Sequence, residues 1–566
     1  ILLILPIYAL FPHPLTLLFL QTIFLALAAY PLYLLARLRL GNVFALLISV
    51  SYLLYPPLGF MNIFETHFEI YAIFFLFFAL YYFEKENFKK FLIFILLAIS
   101  CKENVSLVVF MLGIYAFLRR RSRKWILGPS LLGLVWFFLA IKVVIPYFAK
   151  DAKLYQEGFI FSQYYKHLGS NLSEMIKTLI TKPFWVFRYA FTERKLVYLF
   201  KLFFPTALLG FLSPSVLLII FPILLQNLLS AVDIHTSIYF HYNALLIPFI
   251  FYSAINGFKK LLRFKIINNH TPVIYVGFLG VLAISGVYLR GPQFYLPEFV
   301  NFYPIDDIAK EKEKLIRMIP KDAPVIATFQ FLPRLASRHN VYSMHFVASG
   351  FRMLTNEKYE PPENLEYALI DFNEPLPAYT FSMAWAHYNL FSFLETGNWK
   401  VFKAIDDIVL FKKNMPKGDS PFELIHNPEI QNAIGVNIND KIILSGYKYV
   451  SYFKKERILH ISYYWKFIKT LDKPLGLCIY FLDSENKVRF QKFHLLGYRV
   501  YATGDWPKDK IFKENLYIFI PSNTERGIYN ARLSLFSMED GKILPVLDKD
   551  KIDSYGRIIL GSISLN

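Results

Sequence analysis

Cysteine is nearly missing from this sequence. Two occur in 566 residues, Cys101 and Cys478, one in each half. Two cysteines so far apart make neither a disulfide framework nor a metal-type spacing. Acidic residues are also scarce: 42 Asp and Glu stand against 61 Lys and Arg, a formal charge of +19. There is no phosphate-cradling glycine loop, no nucleophile elbow and no zinc motif. Nucleotide chemistry of the P-loop kind and serine-hydrolase chemistry are thereby set aside. The first ten residues lack the charged flank of a signal peptide. Ile1–Leu10 is already apolar, so it reads as the tail of a truncated spanning helix.

Apolar surface is abundant instead. The chain is 55% hydrophobic and 18% aromatic, with a mean hydropathy of +0.39. A soluble protein of this length is rarely so apolar, which points to a membrane class. The apolar runs end near Arg290, and the rest reads as an ordinary soluble chain. Three parts follow: a multipass region 1–290, a small α/β domain 291–417 and an all-β sandwich 418–566. In a multispan protein, excess Lys and Arg pin loops to the cytoplasm. The bilayer is therefore the expected partner and nucleic acid is not.

A spanning helix needs about 20 apolar residues. Candidates are Leu15–Ala36, Val43–Phe60, Phe68–Phe83, Ile126–Tyr147, Tyr198–Leu212, Ser215–Leu229, Ala244–Asn256 and Pro272–Leu289. Phe91–Leu118 is apolar except for CKEN at Cys101–Asn104. A straight helix would bury Lys102 and Glu103 at roughly 2.5–3.5 kcal/mol per charge. Two short helices with CKEN at a polar turn cost less. The loops carrying RRRSRK and FKKLLRFK are basic, so the positive-inside rule makes them cytoplasmic. NIFETHFE, CKEN and DIHTSIYFHY then all face outward, as do the long loop Ala149–Lys195 and everything after about residue 290.

In the soluble part, APVIAT and YALIDF read as strands. WKVFKAIDDIVLFKK reads as a hairpin turning at Asp406-Asp407, and Ile305–Ile319 has helical spacing. MPKGDSP is linker-like. In ILHISYYWKF and YNARLSLF, apolar and polar residues alternate, which marks strands with one buried face. Tyr498, Tyr501 and Trp506 are candidate sugar platforms.

Three constellations carry chemistry. Glu65, His67 and Glu69 alternate in FETHFE. A carboxylate–imidazole set of this kind can hold a divalent metal, bind phosphate or move protons. The plain alternative is a solvated loop that caps the next helix. In CKEN, Lys102 is a candidate phosphate partner beside Glu103. The alternative is a polar turn with Asn104 as N-cap. In DIHTSIYFHY, His235, His241 and Tyr242 precede a spanning helix, where tyrosines are ordinary belt residues but paired histidines are not.

The order of an apolar helix ending in YPP, then NIFETHFEIYAIFFLFFALYYFEK, then FLIFILLAISCKENVSLVVFMLGIYAFLRR resembles the DUF2079 family of polytopic membrane proteins. In layout these are similar to GT-C membrane glycosyltransferases. Glu65, His67 and Glu69 stand at the Asp, His and Glu of the family's Phe-Asp-Phe-His-Pro-Glu, with Phe68 in place of proline. CKEN matches its Lys-Glu-Asp. YFHYNALLIPF resembles its late-helix signature, at His241, Tyr242 and Pro248. The last domain is similar to β-sandwiches appended to GT-C-type proteins.

The resemblance implies a polytopic α-helical membrane protein of about eleven helices, followed by an extracytoplasmic α/β domain and a β-sandwich. It also implies sugar transfer from a polyprenyl or dolichyl phosphate to an acceptor on the outer face. A lipid-linked sugar phosphate is the implied partner. Glu65, His67, Glu69, Lys102, Glu103, His235, His241 and Tyr242 are the implied donor-phosphate or metal-binding residues. Glu65, His67 and Glu69 are the candidate ligands if a divalent metal is used. The catalytic base is expected in a loop preceding Ile1, so no residue here is assigned to that role. The alternative class is a non-catalytic membrane protein, either a lipid or glycan transporter or an envelope scaffold. High Lys, Ile and Tyr content with little cysteine points to a thermophilic, archaeal source.

Overall fold

The computed structural model describes residues 4–148, 164–263, 271–295, 308–352, 358–372, 384–415, 422–426, 428–469, 474–500, 510–538 and 540–565. It divides into two compact units, Ile1–Pro304 and Ile305–Asn566.

The first unit is helical. It opens with α1 (Leu5–Leu10), α2 (Pro14–Leu27) and α3 (Ala29–Leu40). The last two continue as one rod, Pro14–Leu40, long and apolar enough to cross a membrane. Next come α4 (Asn42–Leu53) and α5 (Pro56–Ile63), bent by 42° at their junction. Pro56 causes the bend, because a residue before proline is pushed to extended backbone and Tyr55 takes ψ 116°.

Helix α6 (Phe68–Glu84) is buried along most of its length. The CKEN stretch forms a turn between α7 (Phe88–Ile99) and α8 (Val105–Leu118), as the charge cost demands. Helix α9 (Arg123–Leu139) runs through a π-helical turn, Ala140–Val144, into α10 (Ile145–Phe148). Arg123–Phe148 is the second rod long and apolar enough to span. Then follow α11 (Leu172–Thr181), α12 (Pro183–Ala190), α13 (Glu193–Phe203), α14 (Pro214–Leu217), α15 (Phe221–Leu229), α16 (Ile247–Leu261) and α17 (Thr271–Tyr288).

Among the described residues two helices meet the length and composition of a span, or three if the bent pair counts as one. The expected span Tyr198–Leu212 is not one helix. It breaks after α13 into short 3-10 turns, with Ala207 and Leu208 in the left-handed region. Pro205 accounts for the break, since it cannot donate the next helical hydrogen bond.

The second unit holds three sheets. Strands β1 (Val325–Ala327), β2 (Val341–Ser343), β3 (Tyr367–Asp371), β4 (Trp399–Ile405) and β5 (Ile408–Lys413) form a mixed sheet in the order β2-β1-β3-β5-β4. Strands β4 and β5 are the hairpin turning at Asp406-Asp407. Helix α18 (Ala309–Arg317) falls within the stretch of helical spacing.

Next come β6 (Phe422–Ile425), β7 (Asn432–Ile438), β8 (Ile442–Phe453), β9 (Ile458–Phe467), β10 (Leu475–Leu482), β11 (Val488–Leu495), β12 (Ile511–Phe519), β13 (Gly527–Ser537) and β14 (Ile558–Leu565). They build two antiparallel sheets, β11-β10-β13-β14 and β6-β12-β9-β8-β7. Strand β13 keeps its alternation of buried and less buried residues except at Ser534, which is buried. Strand β9 does not: Ser462 and Tyr464 on its second face are buried too, because it lies mid-sheet between β12 and β8.

One hydrophobic cluster runs from Ile326 and Phe411 of the mixed sheet to Trp465 and Leu533 of the sandwich. At the seam, the Asp406 side chain accepts from Phe519 N (2.9 Å) and pairs with Lys492 (2.6 Å), while its carbonyl accepts from Tyr498 OH (2.6 Å). Tyr498 is therefore a buried core residue and not a sugar platform. Tyr501, Trp506 and all of MPKGDSP but Met415 lie outside the described residues.

Candidate functional site

Helix α6 is apolar in its middle and acidic at its ends. Glu69 lies in its first turn and Glu84 closes it, about 22 Å apart at 1.5 Å per residue. Glu84 is held by Arg39, Arg119 and Tyr252 OH. Glu69 opens onto a different polar cluster, at the end where the sequence motifs meet.

That cluster lines a cavity of about 350 Å³. His67 and Glu69 come from FETHFE, Lys102 and Glu103 from CKEN, and His235, His241 and Tyr242 from DIHTSIYFHY. Residues as far apart in sequence as His67 and Tyr242 thus face one space. Glu65 is the exception: it is exposed and absent from the lining, although it stands two residues from His67. Of the expected set Glu65, His67 and Glu69, the last two lie together, and His241 rather than Glu65 brings a third donor atom within 4.8 Å of theirs.

The electrostatics centre on Glu69. Lys102 Nζ donates to its Oε1 at 2.5 Å, and His241 Nε2 lies 3.5 Å from the same oxygen. The His67 and His241 rings stack with centroids 3.3 Å apart. His67 Nε2 and His241 Nδ1 are buried with no hydrogen-bond partner. Burial pushes both imidazoles below their usual pKa; Glu69 opposes the shift at His67, and His67 and Lys102 add to it at His241. Burial and then Lys102 push His235 down to about 4. All three are neutral near pH 7, which leaves one lysine against two glutamates on the cavity wall.

Two neutral imidazoles and a carboxylate are a donor set suited to a transition-metal dication. Donors around a four-coordinate ion of this kind stand about 3.4 Å apart, so the triad must contract by roughly 1 Å. One ring must also swing out of the stack, since imidazole lone pairs lie in the ring plane. The two orphaned nitrogens are what such a movement would satisfy.

Residues that the motifs did not reveal hold these loops in place. Gln21, fully buried in α2, donates to Met61 O (3.2 Å) and Asn62 O (3.4 Å) and accepts from His67 N (3.4 Å). Asn243 Nδ2 donates to Ser237 O at 2.7 Å, and Asn227 Nδ2 to Tyr242 O at 3.2 Å. The available signal was a lone amide inside an apolar run. Asn104 takes the N-cap position of α8 without capping it, and its Oδ1 is a further buried orphan at the cavity. Leu107, Phe137, Ile141 and Ile145 add apolar side chains to the lining. The π turn after α9 sets the register of the last two, and such turns recur at functional sites.

No curated protein matches the chain. Among solved structures it is similar to the Archaeoglobus fulgidus oligosaccharyltransferase, crystallised in complex with zinc and sulfate. The identity is 10%, over 93% of this chain and 86% of that one, with a TM-score of 0.32. The DUF2079 family model, described as a predicted membrane protein, matches residues 1–410. With its apolar rods, its YPP–FETHFE–CKEN order and that match, the chain belongs to the DUF2079 family of membrane proteins.

Proposed function

We propose that the cavity is the donor site of a membrane glycosyltransferase that moves a sugar from a polyprenyl or dolichyl phosphate to an acceptor on the outer face. The observation that carries this reading is the convergence of three separated motifs on one cavity lined by both ionisable and apolar side chains. A lipid phosphate offers both kinds of surface. Lys102 supplies the one fixed positive charge beside the place where phosphate charge would grow as the sugar bond breaks.

The cavity wall has one more glutamate than lysine, so an anion entering alone meets unfavourable charge. A divalent cation on His67, Glu69 and His241 would reverse that sign and polarise the phosphate. It would also compete with Lys102 for Glu69 and free the ammonium for the leaving group. Tyr242 and His235 would shape the sugar side of the pocket. The transporter alternative draws less support, because α6 between Glu69 and Glu84 carries only apolar residues and tyrosines.

The test uses full-length protein in proteoliposomes with dolichyl-phosphate sugars, reading sugar release. His67→Ala, Glu69→Gln and Lys102→Ala are each expected to lower the rate by about 100-fold or more. Unchanged transfer in His67→Ala and Lys102→Ala would sink the assignment.

A further inference from the structure

Tyr164 and Tyr165 line the cavity just described, and the next four residues, Lys166–Gly169, line a separate cleft of about 350 Å³. Lys166, Lys177 and Lys182 surround this cleft, with Glu174 and Trp185. The Glu174 carboxylate is already engaged by Ser170 N (2.8 Å) and Ser170 Oγ (2.7 Å). Two of the lining side chains belong to a stack of rings: His167 lies on Tyr189 at 4.3 Å and Trp185 on Tyr189 at 5.5 Å. His167 Nε2 is buried there without a hydrogen-bond partner. The cleft thus combines three lysines with aromatic rings and a buried ring nitrogen that has no hydrogen-bond partner.

Helices α11 and α12, which frame it, have more apolar surface than the protein covers. Met175, Leu179, Val186 and Tyr189 pack on the core. Ile180, Phe184 and Phe187 are 73%, 79% and 61% exposed. An apolar edge beside a lysine edge on short helices is the pattern of elements lying in a membrane interface. Lysines at that depth attract anionic headgroups.

We infer that α11 and α12 lie in the membrane interface and that the cleft they frame binds the phosphate of an anionic lipid headgroup. The lysines carry the charge recognition and Ile180, Phe184 and Phe187 enter the acyl boundary. Neither role depends on the chemistry at His67 and Glu69.

The test is native mass spectrometry of the full chain in neutral detergent, with phosphatidylglycerol or phosphatidylcholine added. Phosphatidylglycerol is expected to be retained about tenfold more strongly. Lys166→Gln with Lys177→Gln and Lys182→Gln should bring it down to the phosphatidylcholine level, and arginine at the three positions should restore it. Phe184→Ser with Phe187→Ser should weaken both lipids alike. Thermal midpoints in lipid-free micelles report whether each variant is folded. Equal retention of the two lipids by the unaltered chain overturns the inference, as does full retention by a folded triple-glutamine variant. Inorganic phosphate bound tightly without lipid, and lost in that variant, overturns it in favour of a soluble phosphate.

Discussion

Glu69 is shared by two cations-in-waiting, the Lys102 ammonium at 2.5 Å and any ion that His67 and His241 would help to hold. Removing the ammonium should therefore trade stability for metal affinity. Lys102→Met leaves a carboxylate that is 5% exposed without its partner. Breaking a fully buried pair costs about 3–5 kcal/mol, and the partial exposure of Lys102 reduces this to about 2 kcal/mol. The same variant should bind Mn²⁺ or Zn²⁺ about tenfold more tightly, measured as the metal-induced rise in thermal midpoint. Weaker metal binding would remove the triad as a metal site. A second residue makes a pH prediction. Burial disfavours the charged form of His494, but Glu514 at 2.9 Å, with Asp407 and Asp406, outweighs it and raises the pKa. The stabilisation is complete below the ordinary histidine value and is lost as pH rises through the raised one. Unfolding of residues 305–566 should become easier from about pH 6.5 upward, and His494→Gln should flatten that slope. At this scale the sequence was legible for His67, Glu69, Lys102 and His241, because ionisable groups are rare in an apolar chain. Glu65 misled because its spacing of two from His67 implies a shared side only in a regular strand, and residues 64–67 form neither strand nor helix.

Helices α8 and α9 cross closely because each has a glycine at the contact. A Cβ on Gly133 would strike Ser106 O and the Phe110 backbone, and one on Gly113 would strike Ser130 and Ile126 O. Close small-residue crossings are the usual means of packing apolar helices in a membrane. Gly133→Val should cost about 1–3 kcal/mol, with Gly133→Ala costing less. It should also displace Phe137 and Ile141 from the cavity wall. The check is a lowered thermal midpoint in detergent with faster proteolysis after Arg123. An unchanged midpoint in Gly133→Val would rule out the close crossing. The CKEN turn was readable beforehand, since burying two charges in one straight helix is expensive. The break after α13 and the bend at Pro56 were less so, because hydropathy sums over a window while proline acts at a single peptide bond.

The chain divides into the units Ile1–Pro304 and Ile305–Asn566, and within the second one hydrophobic cluster joins the mixed sheet to the sandwich. Asp406, Lys492, Tyr498 and Phe519 tie the β4–β5 turn into the sandwich. A fragment 305–566 should therefore unfold in one transition, followed by intrinsic fluorescence in denaturant. A fragment 422–566 should lose cooperativity, because it exposes apolar surface that the mixed sheet covers. Two separable transitions in the longer fragment would contradict this. The sequence by itself determined the membrane class, the helical first part, the β-rich last part and the placing of CKEN at a polar turn. Those follow from composition and periodicity, which are local and additive. Only the tertiary structure decided that His241 and not Glu65 joins His67 and Glu69, that Gln21 anchors their loop, and that Tyr498 is core. Those depend on which segments far apart in the chain are brought together, and pairing across long separations leaves no local trace in the order of residues.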